Sequence, residues 1–277
     1  MPRPDALRHR GFLAGAALFA VFAAASLGAP WLATHDPLDV AAGAGATLER
    51  PSAAHPFGTD VLGRDLFSRV LWGGRVSLAV GIGVEALAAL LGCAVGLVAG
   101  YYGGIVDAAL MRITDVVMAF PSLVLAIGLI AVFERPGLDK VILVLVALGW
   151  TTIARVVRGA VLALKTREHV LAARALGVSN LAIMTRHLLP NALGSLLVAA
   201  TIGVGGNMVA EAGLSFLGLG AQSPTISWGA LLADGQSFLA SAPWVAVFPG
   251  VALLLAVLGI NLLGDGLRDL LDPRFRE

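Results

Sequence analysis

The stretch from Val76 to Val106 reads VSLAVGIGVEALAALLGCAVGLVAGYYGGIV and carries one charged residue, Glu85. A helix rises about 1.5 Å per residue and the hydrocarbon core of a bilayer is about 30 Å thick, so this run predicts a membrane-spanning helix. Gly92, Gly96 and Gly100 recur at every fourth position and therefore share one helix face, where small residues let a second helix approach closely. General glycine richness, with 34 glycines in the chain, is the alternative explanation of this pattern.

The composition of the whole chain agrees with a membrane protein. Of its 277 residues, 58% are hydrophobic and 13% are charged, with a mean hydropathy of +0.87, whereas a soluble domain has about 25% charged residues. A net charge of +1 excludes the broad positive field of a nucleic-acid-binding protein. The single cysteine excludes an intramolecular disulfide and a cysteine-based metal cage.

Further apolar runs on both sides of this stretch predict an all-α protein with about six transmembrane helices. Residues 1–10 form a short basic N-terminus, 11–33 the first span (a cleaved signal peptide is the alternative), and 34–75 an extramembrane segment rich in turn formers. Residues 76–277 then hold five more spans: 76–106, 116–133 with a kink at Pro121, 141–164, 188 to about 220, and 244–264. The piece between the last two, around 223–243, is external or re-entrant.

Six spans place both termini on one side of the membrane. On that topology thirteen basic residues lie inside and six outside, in agreement with the positive-inside rule. The inner set includes the loop 165–190 and the tail 265–277, and the outer set is Arg50, Arg64, Arg69, Arg75, Arg135 and Lys140. We therefore expect both termini to be cytoplasmic and the 34–75 segment to be extracytoplasmic.

No motif for catalysis or metal binding is present. The chain lacks a phosphate-binding P-loop, a His-Glu-x-x-His motif and a Gly-x-Ser-x-Gly motif, and its five histidines are too scattered for the usual ligand spacing. We expect no catalytic residue, no metal and no bound cofactor, so any energy for transport has to come from a partner or an ion gradient. The apolar runs contain two carboxylates, Glu85 and Glu211. Two ionisable groups are few for a proton relay across a membrane, which disfavours a gradient-driven carrier.

The loop before the fifth span carries the most specific pattern. AARALG at 172–177 predicts a short helix ended by a glycine cap at Gly177, and HLLPN follows at 187–191. This loop resembles the cytoplasmic EAA loop of bacterial ATP-binding-cassette (ABC) importer permeases, in the form found in the dipeptide, oligopeptide and nickel permease family. The general EAA pattern has an acid and an isoleucine where this chain has Leu171 and His187, so the resemblance is to the peptide-type loop.

The resemblance covers roughly residues 55–273. Motifs that resemble those of the family occur in the same order along the chain: HPFGTD at 55–60, LGRD at 62–65, FPS at 120–122, EAGLSFLGLGAQ at 211–222, SWG at 227–229, NLLGDGLRD at 261–269 and LDP at 271–273. Their order is similar to that of the C-type permease of the pair.

The resemblance implies a type I ABC importer permease in a bacterial inner membrane. Its partners would be a second, B-type permease subunit, two ATP-binding subunits that use ATP and Mg²⁺, and an extracytoplasmic substrate-binding protein, with no nucleic acid. It also implies a role for the loop in coupling to the ATPase, at Ala172, Ala173, Arg174, Gly177 and Pro190. Without the resemblance, this loop would be interpreted as an ordinary amphipathic connector.

Two polar residues in the fifth apolar run, Asn207 and Glu211, are candidates for the translocation path. For Glu211 a hydrogen bond between helices is the competing role, and for Glu85 we expect the structural role. A non-transporting scaffold or an intramembrane enzyme is a different class of function. An enzyme would need a nucleophile–base pair or a metal cluster, and neither is visible. The transported solute cannot be derived from this sequence, so peptide import is an expectation from the resemblance.

Overall fold

Apolar helices of very different lengths build the protein. The computed structural model describes residues 10–40 and 47–271, and this part of the chain contains no β-strand. Its α-helices are α1 (Arg10–Leu27), α2 (Ala29–Leu32), α3 (Leu66–Tyr102), α4 (Gly104–Met118), α5 (Ser122–Ile130), α6 (Leu138–Leu164), α7 (Glu168–Ala175), α8 (Asn180–Ala182), α9 (Leu189–Phe216), α10 (Trp228–Gly235) and α11 (Trp244–Leu271). A π-helical stretch, Ile183–Leu188, joins α8 to α9.

Four helices in the described ranges are long and apolar enough to cross a membrane. They are α3, α6, α11 and the continuous helix Asn180–Phe216 formed by α8, the π-helical stretch and α9. The pair α4 and α5 passes the same test only if counted as one broken span, and Gly11–Leu27 is a shorter apolar helix. The all-α membrane fold is thus confirmed, while the count of six stays a prediction.

The glycine face of α3 packs directly on α6. A Cβ atom on Gly96 would stand 2.5 Å from the carbonyl oxygen of Ala154, and one on Gly100 would stand 2.8 Å from the Cβ atom of Val161. A Cβ on Gly92 would collide with the carbonyl oxygen of Trp150 in the same way. The predicted close approach is therefore confirmed, and the three glycines are spaced to place two backbones in contact.

The third apolar run is broken rather than merely kinked. Between α4 and α5 the chain bends by 83°, and Pro121 is the residue that precedes α5. Proline has no backbone N–H and obstructs the preceding helical turn, so the helix ends before it and a new one starts after it. The expected kink at Pro121 is confirmed in this stronger form.

A hydrophobic core surrounds α10. The indole of Trp228 is 1% exposed, and its Nε1–H donates a 2.9 Å hydrogen bond to the carbonyl oxygen of Val70 on α3. Ser227 caps the start of α10 by accepting a hydrogen bond from the N–H of Ala230. The stretch after α9 is therefore packed among α3, α9 and α11 instead of forming a free loop.

Helix α3 begins inside the predicted 34–75 segment. Asp65 is the N-cap of α3, and its side chain accepts a 2.8 Å hydrogen bond from the N–H of Ser68. The helix thus begins at Leu66, while the sequence boundary near residue 75 marks only the last charge before the apolar run. The predictions for residues 1–9, 41–46 and 272–277 lie outside the described ranges.

Candidate functional site

Two polar side chains from distant parts of the sequence meet between α3 and α9. The side-chain amide of Asn207 donates a 2.8 Å hydrogen bond to the carboxylate of Glu85. Glycine at 203 makes room for this pair, because a Cβ there would collide with the Glu85 carboxylate. Burial of an ionisable group within a membrane span costs free energy unless the group has a polar partner. Asn207 is such a partner for the Glu85 carboxylate.

Glu85 and Asn207 line a cavity of about 500 Å³. Its wall is mostly apolar and includes hydroxyl groups from α5 and α6. Residues of α3, α4, α5, α6 and α9 contribute, among them Glu85, Ser122, Thr151, Thr152, Gly203 and Asn207. A pocket of a few hundred cubic ångströms with a few convergent polar groups is the usual form of a small-molecule site.

Glu211, the other carboxylate singled out from the sequence, occupies a different environment. It is fully buried and is not among the residues that line the cavity. Its carboxylate accepts hydrogen bonds from the hydroxyls of Ser77, at 3.1 Å, and Ser215, at 2.7 Å. Ser77 in turn accepts a bond from the N–H of Trp228. This network links α3, α9 and α10, which is the interhelical hydrogen bonding that the sequence left open for Glu211.

The loop between α6 and α9 contains the predicted short helix, slightly displaced. It is α7, Glu168–Ala175, so it begins before Ala172. The N–H of Gly177 bonds to the carbonyl of Arg174 and that of Val178 to the carbonyl of Ala173, and Gly177 has a φ of +75°. These bonds form a Schellman motif, which places a left-handed residue, almost always glycine, just after the helix.

One face of α7 is buried and the other is open. Val170 and Ala173 pack into a core formed by the ends of α3 and α6 and by the π-helical stretch before α9. On the other face, Leu176 is 84% exposed and Leu171 is 49% exposed, and Ala172 is also exposed. The helix therefore presents a small apolar surface away from the bundle.

Arg174 and Pro190 anchor the two ends of this loop. The guanidinium of Arg174 lies 5.3 Å from the ring centroid of Tyr101, the penultimate residue of α3, and the Tyr101 hydroxyl donates a 2.7 Å hydrogen bond to Asn180. Pro190 lies in the first turn of α9, where a missing N–H leaves no bond unmade. α7 and the start of α8 are thus both in contact with α3 through the ring and hydroxyl of Tyr101.

Two ion pairs join α4 to α6, and nothing in the sequence indicates them. Arg158 donates to both carboxylate oxygens of Asp107, at 2.5 and 2.6 Å, and Arg155 donates to Asp115 at 2.7 Å. Both acids precede the break at Pro121. The partners in each pair come from different helices, so the spacing of residues within either helix gives no signal for the pairing.

Comparison with known proteins agrees with this geometry. Residues 92–277 match the family described as binding-protein-dependent transport system inner membrane component. A dipeptide transport system permease protein of Alkalihalophilus pseudofirmus is 44% identical over 230 residues, which are 83% of this chain and 75% of that protein. A probable D,D-dipeptide transport system permease protein of Escherichia coli is 43% identical over 247 residues, covering 88% of this chain and 81% of the relative.

Two further similarities bear on substrate range and fold. A glutathione transport system permease protein of Pectobacterium atrosepticum is 45% identical over 229 residues, covering 83% of this chain and 76% of that protein. An inward-facing structure of the MetNI methionine ABC transporter superposes with a TM-score of 0.60 at 24% identity, over 73% of this chain and 96% of that one. The structural match shows the fold of an ABC importer permease. The chain therefore belongs to the binding-protein-dependent transport system inner membrane component family and is the permease subunit of an ABC transporter.

Proposed function

We propose that this permease imports peptides or similar small solutes, that the Glu85–Asn207 cavity is part of their translocation path, and that α7 receives the movement of a separate ATPase subunit. Relatives at 43–45% identity are named for dipeptide and glutathione transport, which supports the substrate class. The chain itself would be non-catalytic and bind no cofactor, since ATP and Mg²⁺ would be used by the ATPase.

The observation that carries the coupling role is the open apolar face of α7. A helix that is held to the bundle by Val170 and Ala173 leaves Leu171 and Leu176 exposed. Exposed apolar residues grouped on one short element are typical of a protein–protein contact. Since Val170, Ala173 and Tyr101 lie in one core, a displacement of α7 would be passed to α3, the helix that carries Glu85.

The wider assembly follows from this role. The partners would be a second permease, two ATP-binding subunits at α7 and its counterpart, and an extracytoplasmic substrate-binding protein. Both termini would be cytoplasmic, on the side of α7, in a bacterial inner membrane. Closure of the ATPases would then rock the two halves between inward and outward openings.

The coupling role is tested by a substitution at the C-terminus of α7. Gly177→Asp places a side chain at a φ of +75° in open space, and Gly218→Asp does the same at the end of α9, where φ is +76°. The two variants therefore carry similar backbone strain on either side of the continuous helix Asn180–Phe216. We expect Gly177→Asp to abolish dipeptide uptake in cells that have the partner subunits, with normal amounts of protein in the membrane.

Gly218→Asp should retain most of the uptake, because it shares the backbone strain of Gly177→Asp but does not alter the end of α7. Uptake that survives Gly177→Asp would refute the coupling role of α7. An equal loss in both variants would show that strain alone inactivates the protein, and would refute it as well.

A further inference from the structure

Three side chains that are far apart in the sequence converge at the start of α3. The Nδ1 atom of His55 lies 2.9 Å from the Oδ1 atom of Asp65, and the Nδ1 atom of His35 lies 3.9 Å from the same oxygen. The two imidazole rings stand 4.7 Å apart between centroids. One ligand atom from each residue lies within 4.8 Å of the other two. The histidines are far apart in the sequence, which argued against a metal site, but His35 and His55 lie next to each other in the structure.

The backbone on both sides holds the two histidines in place. The N–H of His35 donates a 3.1 Å hydrogen bond to the hydroxyl of Ser68 in the first turn of α3. Around His55, the N–H bonds to the Ser52 hydroxyl at 3.1 Å, and the carbonyl accepts bonds from the N–H groups of Ser52 and Gly58. These backbone bonds do not use the ring nitrogens. The Nδ1 atom of His35 also lies 3.1 Å from the Thr34 hydroxyl, and that of His55 contacts Asp65, so an ion would replace these two contacts.

The carboxylate of Asp65 is oriented so that one oxygen is left for the histidines. Its Oδ2 atom accepts bonds from the N–H of Ser68, at 2.8 Å, and from the Thr34 hydroxyl, at 3.1 Å. Its Oδ1 atom faces both rings. Burial alone would raise the pKa of Asp65, but the hydrogen bonds from Ser68, His55 and Thr34 outweigh burial and hold it below its ordinary value. A deprotonated carboxylate fixed by neighbouring donors is typical of metal-ligand arrangements.

We propose that His35, His55 and Asp65 form a binding site for one divalent transition-metal ion, with Zn²⁺ as the reference ion. Two imidazole nitrogens and one carboxylate oxygen are a common ligand set for zinc, whereas Ca²⁺ and Mg²⁺ prefer oxygen ligands alone. Metal–ligand distances of about 2.0–2.2 Å in tetrahedral geometry set ligand atoms about 3.4 Å apart. The two distances to Asp65, 2.9 and 3.9 Å, bracket that value, and all three ligand atoms lie within 4.8 Å of one another. Binding would therefore require side-chain rotations that bring the two rings closer together.

The site is accessible and has a structural consequence. The His35 side chain is 39% exposed while that of Asp65 is fully buried, which gives an ion an access route and leaves a coordination position for water. The bound ion would join the segment after α2 to the N-cap of α3. It would act as a clamp on the extramembrane segment, separate from the cavity at Glu85 and independent of the transported solute.

The experiment uses the full-length chain in detergent with a tag that contains no histidine, after dialysis against a chelator. Co²⁺ serves as a spectroscopic probe because its visible absorption depends on coordination geometry, and Zn²⁺ is then added to displace it. Four variants are compared with the wild type: His35→Ala, His55→Ala, Thr34→Val, and His169→Ala as the matched control on α7. Helicity by circular dichroism and elution in size-exclusion chromatography show that each variant is folded.

We expect the wild type and His169→Ala to bind one Co²⁺ per chain with a tetrahedral-type spectrum that Zn²⁺ abolishes. His35→Ala and His55→Ala should lose that spectrum, and Thr34→Val should weaken binding about 10- to 100-fold, since it frees the orienting contact to Asp65. The proposal is overturned if the folded wild type shows no saturable Co²⁺ or Zn²⁺ binding, which would leave the three residues as a hydrogen-bonded contact only. It is also overturned if His35→Ala and His55→Ala bind metal as the wild type does.

Discussion

The side-chain amide of Asn207 on α9 donates a 2.8 Å hydrogen bond to the carboxylate of Glu85 on α3, across the wall of a cavity of about 500 Å³. The two residues are 122 positions apart in the sequence, so only the packing of α3 on α9 brings them together. A carboxylate whose orientation depends on one neutral partner is sensitive to that partner. Among the described residues that line the cavity, Glu85 is the one with an ionisable side chain.

Removal of this partner should impair transport more than it lowers the amount of protein in the membrane. Loss of a hydrogen bond to a charged group costs about 1.5–3 kcal/mol of stability, which should lower the unfolding midpoint without preventing insertion. Because Glu85 would no longer be held in its orientation, we expect Asn207→Ala to lower dipeptide uptake per permease molecule about tenfold, which corresponds to about 1.4 kcal/mol in the barrier to transport. Uptake of labelled dipeptide in cells, normalised to the quantity of permease by immunoblot, measures both.

Gln222→Ala is the matched control, because the Gln222 amide bonds only to carbonyl groups of its own loop. Its uptake should equal that of the wild type. If Asn207→Ala transports normally, or if its uptake falls only in proportion to a loss of protein, the pair has no place in the translocation path.

Glu211 should behave in the opposite way. Glu211→Leu removes the acceptor for the buried hydroxyls of Ser77 and Ser215, and a buried polar group without a partner costs about 1–3 kcal/mol. We expect a lower thermal unfolding midpoint and less protein in the membrane, with transport reduced to the same extent. Glu211→Gln, which retains one acceptor oxygen, should lose less.

Differential scanning fluorimetry in detergent, together with normalised uptake, checks this prediction. Glu134→Gln, an exposed acid in the turn after α5, is the control and should be neutral in both measurements. Normal stability of Glu211→Leu combined with lost transport would assign Glu211 to the translocation path instead.

The glycine face of α3 gives a prediction about stability alone. Gly96→Ala places a Cβ atom 2.5 Å from the Ala154 carbonyl oxygen and 2.8 Å from the Cβ atom of Val157. Overpacking of this kind costs about 1–3 kcal/mol, so the unfolding midpoint should fall. Gly83→Ala on the same helix meets no atom within 4 Å, and it should leave the midpoint unchanged or raise it, because alanine favours the helix.

The same two variants can be compared by thermal unfolding in one detergent. A Gly96→Ala protein as stable as Gly83→Ala would mean that α3 and α6 do not approach as closely as described.

The sequence predicted the helices well where a single property decided them. Apolar run length gave α3, α6 and α11, and the spacing of Gly92, Gly96 and Gly100 gave the close contact between α3 and α6. Gly177 predicted the end of α7, because a left-handed residue after a helix favours glycine. These features depend on residues close together in the chain, so a pattern in one segment contains the information.

Features that depend on two distant segments were not predictable in this way. Nothing in the run around Glu85 indicates that Asn207 will face it, and nothing in the sequence places His35 beside His55. The start of α3 at Leu66 was missed for another reason. Charged residues such as Arg69 can lie inside a helix when acidic groups pair with them, here Asp60 and Asp234, so a charge is a poor marker of a helix end.

The central claim, that α7 docks on an ATP-binding subunit, is tested most directly by cross-linking. The chain has one cysteine, so Cys93→Ala provides a background into which Ala172→Cys, on the exposed face of α7, or Gln222→Cys, after α9, is introduced. In membranes that contain the partner subunits, a reagent that reacts with a thiol at one end and with a lysine amine at the other should join position 172 to the ATP-binding subunit and should not join position 222 to it. Absence of the product from position 172, or an equal product from both positions, would contradict the account.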